Sequence, residues 1–186
     1  MTFVGQRWAI YVDIEGFSVL YERETTLLEA LGDLMEGIHL IGEKCYPESP
    51  DRLFAHQTGD GFVIVSEFGA SSLEVPAAIA IALLRHVAAR GRFAKASIGE
   101  GDFADIWGCY PKRIREARCG DDTVRLGGGL MTVFPVMGTA LIDAFGVAKR
   151  SPSGSLLTVA KQKRSRFPEP CVVREVNGQD VVSIDW

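Results

Sequence analysis

Two short stretches, far apart in the chain, share one layout. Trp8 to Phe17 reads WAIYVDIEGF, and His56 to Val65 reads HQTGDGFVIV. In each, an apolar run typical of a strand lies beside an aspartate, Asp13 or Asp60, with glycine close by, which puts the carboxylate at a strand end or a hairpin tip. If the two strands are neighbours in one sheet, the carboxylates converge. Paired carboxylates of this kind hold Mg²⁺ or Mn²⁺ against a phosphate.

The hydrophobic pattern predicts an α+β fold. The predicted elements, in chain order, are a buried strand over 7–14, a long amphipathic helix over 27–45, strands over 52–58 and 62–68, a helix over 74–90 and a strand over 93–98. The turn Gly59-Asp60-Gly61 joins the middle two strands and is the strongest hairpin signal in the chain. With right-handed crossovers, the order βαββαβ gives an antiparallel sheet with helices on one face, the ferredoxin-like or palm architecture.

The remainder is expected to elaborate this unit. We predict a helix over 104–118, a strand pair or a bulged strand over 123–134, a short helix over 138–149 and late strands over 155–159, 170–176 and 180–184, the last two joined by the turn Asn177-Gly178. The glycines at 127–129 are not followed by Lys-Ser or Lys-Thr, so we interpret them as a bulge or close backbone approach rather than a phosphate loop. No repeat or linker interrupts the chain, so a single domain over 1–186 is expected.

Composition narrows the class of function. The chain has 186 residues and a formal net charge of −4, which argues against a nucleic-acid binder driven by bulk electrostatics. The four cysteines form no CxxC pair and the three histidines no HxxxH pair, so neither disulfides nor a zinc site is expected. No signal peptide or bilayer-spanning apolar run is visible, and a cytoplasmic location is the expectation.

The motifs around the two aspartates resemble those of a known family. Asp13-Ile14-Glu15-Gly16-Phe17 and Gly59-Asp60 resemble the signatures of class III nucleotidyl cyclases, in which a strand ending in D-I-x-G-F is followed by a hairpin carrying G-D. Ser97 to Gly101 and Gly138 to Ala144 continue the resemblance loosely, and it covers the chain to about residue 160. It implies the βαββαβ core of such a catalytic domain with extra C-terminal strands.

The resemblance also implies a two-metal active site. Asp13 and Asp60 would bind two Mn²⁺ or Mg²⁺ ions, and the backbone carbonyl of Ile14 would complete one site. One ion activates the ribose 3′-hydroxyl for in-line attack on the α-phosphorus, and the other holds the triphosphate and the leaving pyrophosphate. The terminal phosphates would be bound by backbone N–H groups at the start of the first helix, those of Gly16, Phe17 and Ser18.

Several positions depart from the family pattern. Where the family has a transition-state Asn and, one turn on, an Arg, this chain has Ile142 and Gly146. Asp102 stands where a phosphate-binding Arg is expected, and the two purine-reading positions hold His56 and Pro135. A pocket without those groups is not built for adenine or guanine. The combination resembles the bacterial pyrimidine cyclases of Pycsar antiphage systems, which make cyclic UMP or cyclic CMP to trigger a separate effector protein.

The resemblance therefore implies a homodimeric cyclase that prefers UTP to CTP, with two identical active sites at a two-fold interface. His56 or Phe54, on one face of the second strand, is the candidate to contact the base by hydrogen bonding or stacking, and the alternative is that these side chains only fill the sheet face. We interpret the basic runs at 112–118 and 161–166 as solvated faces, and the alternative is that one of them supplies the missing triphosphate charge from a second subunit.

Two other functions remain open: an unusual adenylate cyclase, and a non-catalytic domain that senses nucleotide and regulates a partner. A palm-type diguanylate cyclase fits less well, because no second acidic residue follows Asp60.

Overall fold

The structure is a computed structural model that describes residues 4–16, 24–48, 53–66, 72–169, 171–176 and 178–186. The strands are β1 Val4–Ile14, β2 Leu53–Thr58, β3 Gly61–Ser66, β4 Ala94–Asp105, β5 Thr123–Leu126, β6 Gly129–Thr132, β7 Val136–Met137, β8 Leu157–Ala160, β9 Val173–Glu175 and β10 Val181–Ile184. The helices are α1 Glu24–Cys45, α2 Glu74–Ala88, α3 Lys112–Glu116 and α4 Thr139–Arg150, with 3-10 turns at Trp107–Cys109 and Lys161–Arg166.

One large sheet carries the fold, with strand order β2-β3-β1-β4-β8-β10-β9 and β7 paired to the end of β4. Strand β1 lies between β3 and β4 and is antiparallel to both. Strands β4 and β8 run parallel, whereas β5 and β6 form a separate hairpin. The α+β fold with a βαββαβ core and added C-terminal strands is thereby confirmed.

Alternation along β1 divides the core between the two faces of the sheet. Trp8, Ile10 and Val12 are buried with residues of α1 and α2. Ala9 and Tyr11 point the other way, into a second apolar cluster that includes residues of α4. Helices α1 and α2 therefore lie on one face of the sheet, as predicted for the βαββαβ unit, and α4, from the segment added to that unit, covers the other face.

Glycines in β4 explain why α4 can lie on this second face. A Cβ on Gly99 would stand 2.2 Å from the backbone nitrogen of Ala144, and one on Gly101 would stand 2.7 Å from the nitrogen of Ala140. The sequence analysis ended this strand near residue 98, but it continues to Asp105. These glycines serve close helix packing rather than a turn.

The segment after β4 also differs from its prediction. The helix expected over 104–118 is wrong: the strand runs into this range, a 3-10 turn follows, and α3 has only five residues. Pro111, directly before α3, is in an extended conformation, which interrupts any longer helix.

The β5–β6 hairpin is as expected, with Gly127 at a φ of +62° in its turn. The interpretation of the glycines at 127–129 as a bulge or close backbone approach is wrong, because Gly127 and Gly128 form this turn and a Cβ on either would meet no atom within 4 Å. The late strands occupy the predicted regions but are shorter, and Asn177 lies outside the described residues. None of the described helices is long and apolar enough to cross a membrane.

Candidate active site

The β1–β3 register brings the two aspartates to one edge of the sheet. Asp13 pairs with Gly61, so Asp60, one residue earlier at the hairpin tip, lies next to it. After burial, the negative charge of Asp60 is the largest cause that raises the pKa of Asp13, as expected for two neighbouring carboxylates. On the other side of β1, Asp13 pairs with Lys95 of β4. Directly paired residues of neighbouring strands share a face, so Lys95 lies beside the carboxylates.

The environment of Asp13 disfavours its own ionisation. Burial, together with the charge of Asp60, raises the pKa of Asp13 from 3.8 to about 6, although Lys95 and the backbone N–H of Ile14 act in the opposite direction. Its Oδ1 atom is buried without a hydrogen-bond partner among the described residues. The same holds for the hydroxyl oxygen of Thr58, which pairs with Gly61 from the other strand of the hairpin. Uncompensated oxygens of this kind are what a bound cation satisfies.

The donor set suits a hard divalent cation. Asp13 and Asp60 supply two carboxylates, and no cluster of three or more His, Cys, Asp or Glu side chains suited to a metal occurs in the described part of the chain. Mg²⁺ and similar ions bind through one or two carboxylates and complete their shell with water and substrate oxygens. The residues present therefore fit such an ion only if a ligand brings further oxygens.

Lys95 is the cation that partly offsets this acidic edge. Its Nζ lies 3.5 Å from Glu15, whose other carboxylate oxygen accepts the backbone N–H of Gly154 at 2.9 Å. Sequence reasoning missed Lys95, because only the cross-strand register places it opposite Asp13.

Tyr11 is a second residue that the sequence analysis missed. It precedes Asp13 by two positions, and its hydroxyl lies within hydrogen-bonding reach of the Asp13 carboxylate. Burial, then the charges of Asp13 and Asp60, raises the pKa of Tyr11 to about 12, so the phenol keeps its proton at neutral pH. Its ring centroid lies 4.6 Å from that of Phe145 on α4.

Of the other residues predicted to bind metal or phosphate, Ile14 and Gly16 lie in the described part of the chain. Ile14 has its side chain buried in the core, so any ligand role falls to its backbone. Gly16 is exposed in the turn after β1 with a φ of +78°, a conformation that favours glycine. Phe17 and Ser18 lie outside the described residues.

The predicted base-contacting residues line a cavity of about 340 Å³. Phe54 and His56 share the face of β2 that carries the cavity, with ring centroids 4.1 Å apart. Pro135, the second purine-reading position of the family pattern, lines the same cavity. Burial lowers the pKa of His56, and the charge of Asp122 opposes that change only in part. His56 is therefore neutral at neutral pH, able to donate one hydrogen bond and accept another.

The other wall of this cavity comes from the segment that was predicted as a helix. The Arg118 guanidinium lies 4.6 Å from the centroid of Trp107 and 3.5 Å from Asp121. Arg118, Trp107 and Asp122 all line the cavity. No sequence signal identified them, because a single turn and a hairpin bring them to β2.

The basic runs fall into two groups. Lys163 forms an ion pair with Asp143 of α4, and Arg166 pairs with Glu100 of β4. Both cations also lie over the ring of Trp8, at 5.6 and 4.7 Å. These two residues therefore hold the segment 161–166 against the sheet, whereas the cations of α3 are exposed.

The position of the missing transition-state pair lies on the outer face of α4. Ile142 is 71% exposed, and the nearby Met137 is 53% exposed. Both line an apolar groove of about 500 Å³ with Phe134 and Phe145. Nothing at Ile142 or Gly146 can donate a hydrogen bond from its side chain.

Comparison with known proteins places the fold in one class. No model of a known protein family matches the sequence, and no curated protein matches it by sequence. Solved structures do match over nearly the whole chain, and the fold is that of the class III nucleotidyl cyclase domains.

Three of these structures illustrate the likeness. One is the catalytic core of a rhodopsin-guanylyl cyclase with converted specificity in complex with ATPαS, with a TM-score of 0.64, 11% identity and coverage of 99% of this chain and 98% of that one. Another is the monomeric guanylyl cyclase domain of the RhoGC fusion protein from the aquatic fungus Blastocladiella emersonii, as a double mutant, with a TM-score of 0.59, 11% identity and coverage of 97% and 94%. A bacterial light-regulated adenylyl cyclase matches with a TM-score of 0.53, 10% identity and coverage of 97% of this chain and 52% of that one. At these identities the likeness concerns the fold alone.

Proposed function

We propose that this protein is a nucleotidyl cyclase that converts UTP, in preference to CTP, to the 3′,5′-cyclic nucleotide and pyrophosphate. The observation that carries the proposal is the pair Asp13 and Asp60, held at one sheet edge with an unsatisfied buried oxygen, in a chain with the fold of cyclase domains. We extend the proposal to a second-messenger role in bacterial antiphage defence, in which a separate effector protein reads the product.

The proposed reaction forms a bond between the ribose 3′-oxygen and the α-phosphorus and breaks the bond from that phosphorus to the oxygen that bridges it to the β-phosphorus. Pyrophosphate leaves with that oxygen, and the proton of the 3′-hydroxyl passes to water. Two Mn²⁺ or Mg²⁺ ions bound by Asp13 and Asp60, with the Ile14 carbonyl, would lower the pKa of the 3′-hydroxyl and neutralise the triphosphate. The protein contributes a preorganised acidic edge that needs no rearrangement to accept the ions. Lys95 limits the repulsion between the carboxylates before the ions arrive.

The cavity beside β2 supports a pyrimidine as the base. The two positions that read purines in the family pattern, His56 and Pro135, line one cavity and provide neither the Lys nor the acidic side chain that purine readers use. Phe54 offers an aromatic ring for stacking, and neutral His56 can donate to a base carbonyl.

An unusual adenylate cyclase is the second candidate, and one residue favours it. Asp122 lines the same cavity as His56. Its carboxylate can accept a hydrogen bond from an exocyclic amino group, which adenine and cytosine have and uracil lacks.

A homodimer is part of the proposal. Ile142 and Met137 expose apolar surface beside a groove, and contiguous exposed apolar surface marks protein interfaces. The described residues place only Lys95 as a cation beside the two aspartates. We therefore assign the remaining triphosphate charge to a second copy, whose exposed Lys112 and Arg113 on α3 are candidates.

The deciding experiment is incubation with each of the four nucleoside triphosphates and Mn²⁺, with products resolved by mass spectrometry. Cyclic UMP is expected as the main product, and Asp60→Asn should abolish it, whereas Asp180→Asn, an exposed turn aspartate, should not. Cyclic AMP as the main product would overturn the pyrimidine assignment. Tight nucleotide binding without pyrophosphate release would instead establish a non-catalytic sensor.

A further inference from the structure

Tyr11 lies in β1 two residues before Asp13, one of the two carboxylates proposed to bind metal. It shares the face of β1 that carries Asp13, because the two are separated by one residue in a strand. Its hydroxyl oxygen lies close to Gly61, the residue of β3 that pairs directly with Asp13. The hydroxyl is therefore on the same face as the Asp13 carboxylate and beside it, where it can donate a hydrogen bond.

The space that holds the hydroxyl exists because residue 61 is glycine. A Cβ on Gly61 would lie 3.2 Å from the Tyr11 hydroxyl oxygen and 2.6 Å from the carbonyl oxygen of Val12. A side chain on this residue, which pairs directly with Asp13, would therefore push the phenol away. The position of the Tyr11 hydroxyl therefore depends on the absence of a side chain at Gly61.

The ring of Tyr11 is held from the opposite side. Phe145 of α4 packs on it at 4.6 Å between centroids, with the ring planes inclined by 46°. Helix α4 is itself seated tightly on β4, since Gly99 leaves no room for a Cβ beneath it. Phe145 therefore packs on the Tyr11 ring from a helix that is itself closely packed on the sheet.

The orientation of the Asp13 carboxylate matters because one of its oxygens would bind the ion. Its Oδ1 is buried without a partner in the described part of the chain, so one carboxylate oxygen is left free for an ion. The backbone N–H of Ile14 is the other donor that acts on this carboxylate. A carboxylate with one oxygen anchored presents the other in a single orientation, and anchors of this kind tune metal affinity.

We propose, on the basis of the proposed metal role of Asp13, that Tyr11 is a positioning residue. Its hydroxyl donates to one oxygen of Asp13 and turns Oδ1 towards the divalent ion. Gly61 provides the room for the hydroxyl, and Phe145 fixes the ring. Tyr11 itself contacts neither the ion nor the nucleotide.

The test is Tyr11→Phe, which removes the hydroxyl and keeps the ring on Phe145. Mn²⁺ binding is measured by electron paramagnetic resonance in the presence of a fixed, saturating concentration of 3′-deoxy-UTP, which lacks the attacking hydroxyl and is not consumed. Cyclase rates are measured with UTP as a function of Mn²⁺. We expect the Mn²⁺ concentration for half-saturation to rise about tenfold in both measurements, with the rate at saturating Mn²⁺ nearly unchanged. Tyr110→Phe, which removes a hydroxyl from the turn before α3, is the matched control and should behave as wild type.

The outcomes separate this inference from the function on which it rests. Wild type that binds Mn²⁺, Asp13→Asn that does not, and Tyr11→Phe that binds like wild type would overturn the role of Tyr11 alone. Equal Mn²⁺ binding by wild type and Asp13→Asn would overturn the proposed metal site, and the role of Tyr11 with it. Should Tyr11→Phe fail to fold, Phe145→Leu keeps the hydroxyl but frees the ring, and a smaller loss of Mn²⁺ affinity is expected; an unchanged affinity would contradict the inference.

Discussion

Replacing Asp13 with asparagine should make the metal-free protein more stable at neutral pH. The folded state raises the pKa of Asp13 from 3.8 to about 6, mainly by burial and then through the charge of Asp60. Between these two values the folded protein binds a proton that the unfolded chain has lost. The free energy of unfolding therefore falls as the pH rises from about 4 to about 6, and the full loss is present above the folded pKa.

The size of the effect follows from the pKa difference. A change from 3.8 to about 6 corresponds to roughly 3 kcal/mol at 25 °C. Because the carboxylate is partly exposed, solvent screening reduces this figure, and we expect about 1 to 2 kcal/mol. The linkage relation leaves about a third of that difference at pH 4.5. Asparagine has nearly the same volume as aspartate, so packing should change little.

The assay is urea unfolding in EDTA at pH 7.5 and pH 4.5, followed by tryptophan fluorescence, to which the buried Trp8 contributes. Asp13→Asn should unfold at higher urea than wild type at pH 7.5, with most of the difference gone at pH 4.5. The exposed Asp180→Asn serves as control and should differ from wild type by less than about 0.5 kcal/mol at either pH. Equal stability of Asp13→Asn and wild type at pH 7.5, or a difference that does not shrink on acidification, would refute the reasoning.

Three further perturbations test other parts of the account. Mn²⁺ affinity measured from pH 5 to pH 8 should increase through about pH 6 and then level off, because protons compete with the ion for Asp13; a flat profile would contradict the assignment of that carboxylate. Gly99→Ala should lower the free energy of unfolding by about 2 kcal/mol or more, because the new Cβ would stand 2.2 Å from the backbone nitrogen of Ala144; urea unfolding checks this, with exposed Gly108→Ala, where no atom lies within 4 Å, as control. Ile142→Lys should shift the protein from dimer to monomer in sedimentation velocity and reduce cyclase activity at low protein concentration, since it places a charge on the exposed apolar face of α4; an unchanged dimer would place the interface elsewhere.

The elements that sequence reasoning predicted correctly are those whose signals are local. The spacing of apolar residues in α1 and α2 and the turn Gly59-Asp60-Gly61 are properties of adjacent residues. The strand pattern around Asp13 is local in the same way. The pairing of β1 with β3 was expected from the short β2–β3 hairpin and from the right-handedness of crossover connections.

The errors have a common physical cause. Glycine after an apolar run usually marks a turn, so the strand predicted over 93–98 ends before Gly99 and Gly101. In the structure these glycines lie within β4. Helix α4, more than 35 residues further along the chain, can pack there only because they have no side chains. The helix predicted over 104–118 does not form, because the first residues of this segment extend β4 and later ones line a cavity beside β2.

The two aspartates and the order of strands and helices around them were determined by the sequence itself, because turn chemistry and hydrophobic periodicity operate over a few residues. What surrounds those aspartates was decided only by the tertiary structure. The register of β1 and β4 pairs Lys95 with Asp13. The hydroxyl of Tyr11 lies beside the Asp13 carboxylate because Gly61 has no side chain. Helix α4 packs on the second face of the sheet because Gly99 and Gly101 leave room for its backbone. Each of these contacts joins residues distant along the chain, and which of many sterically allowed pairings forms depends on how the whole sheet packs.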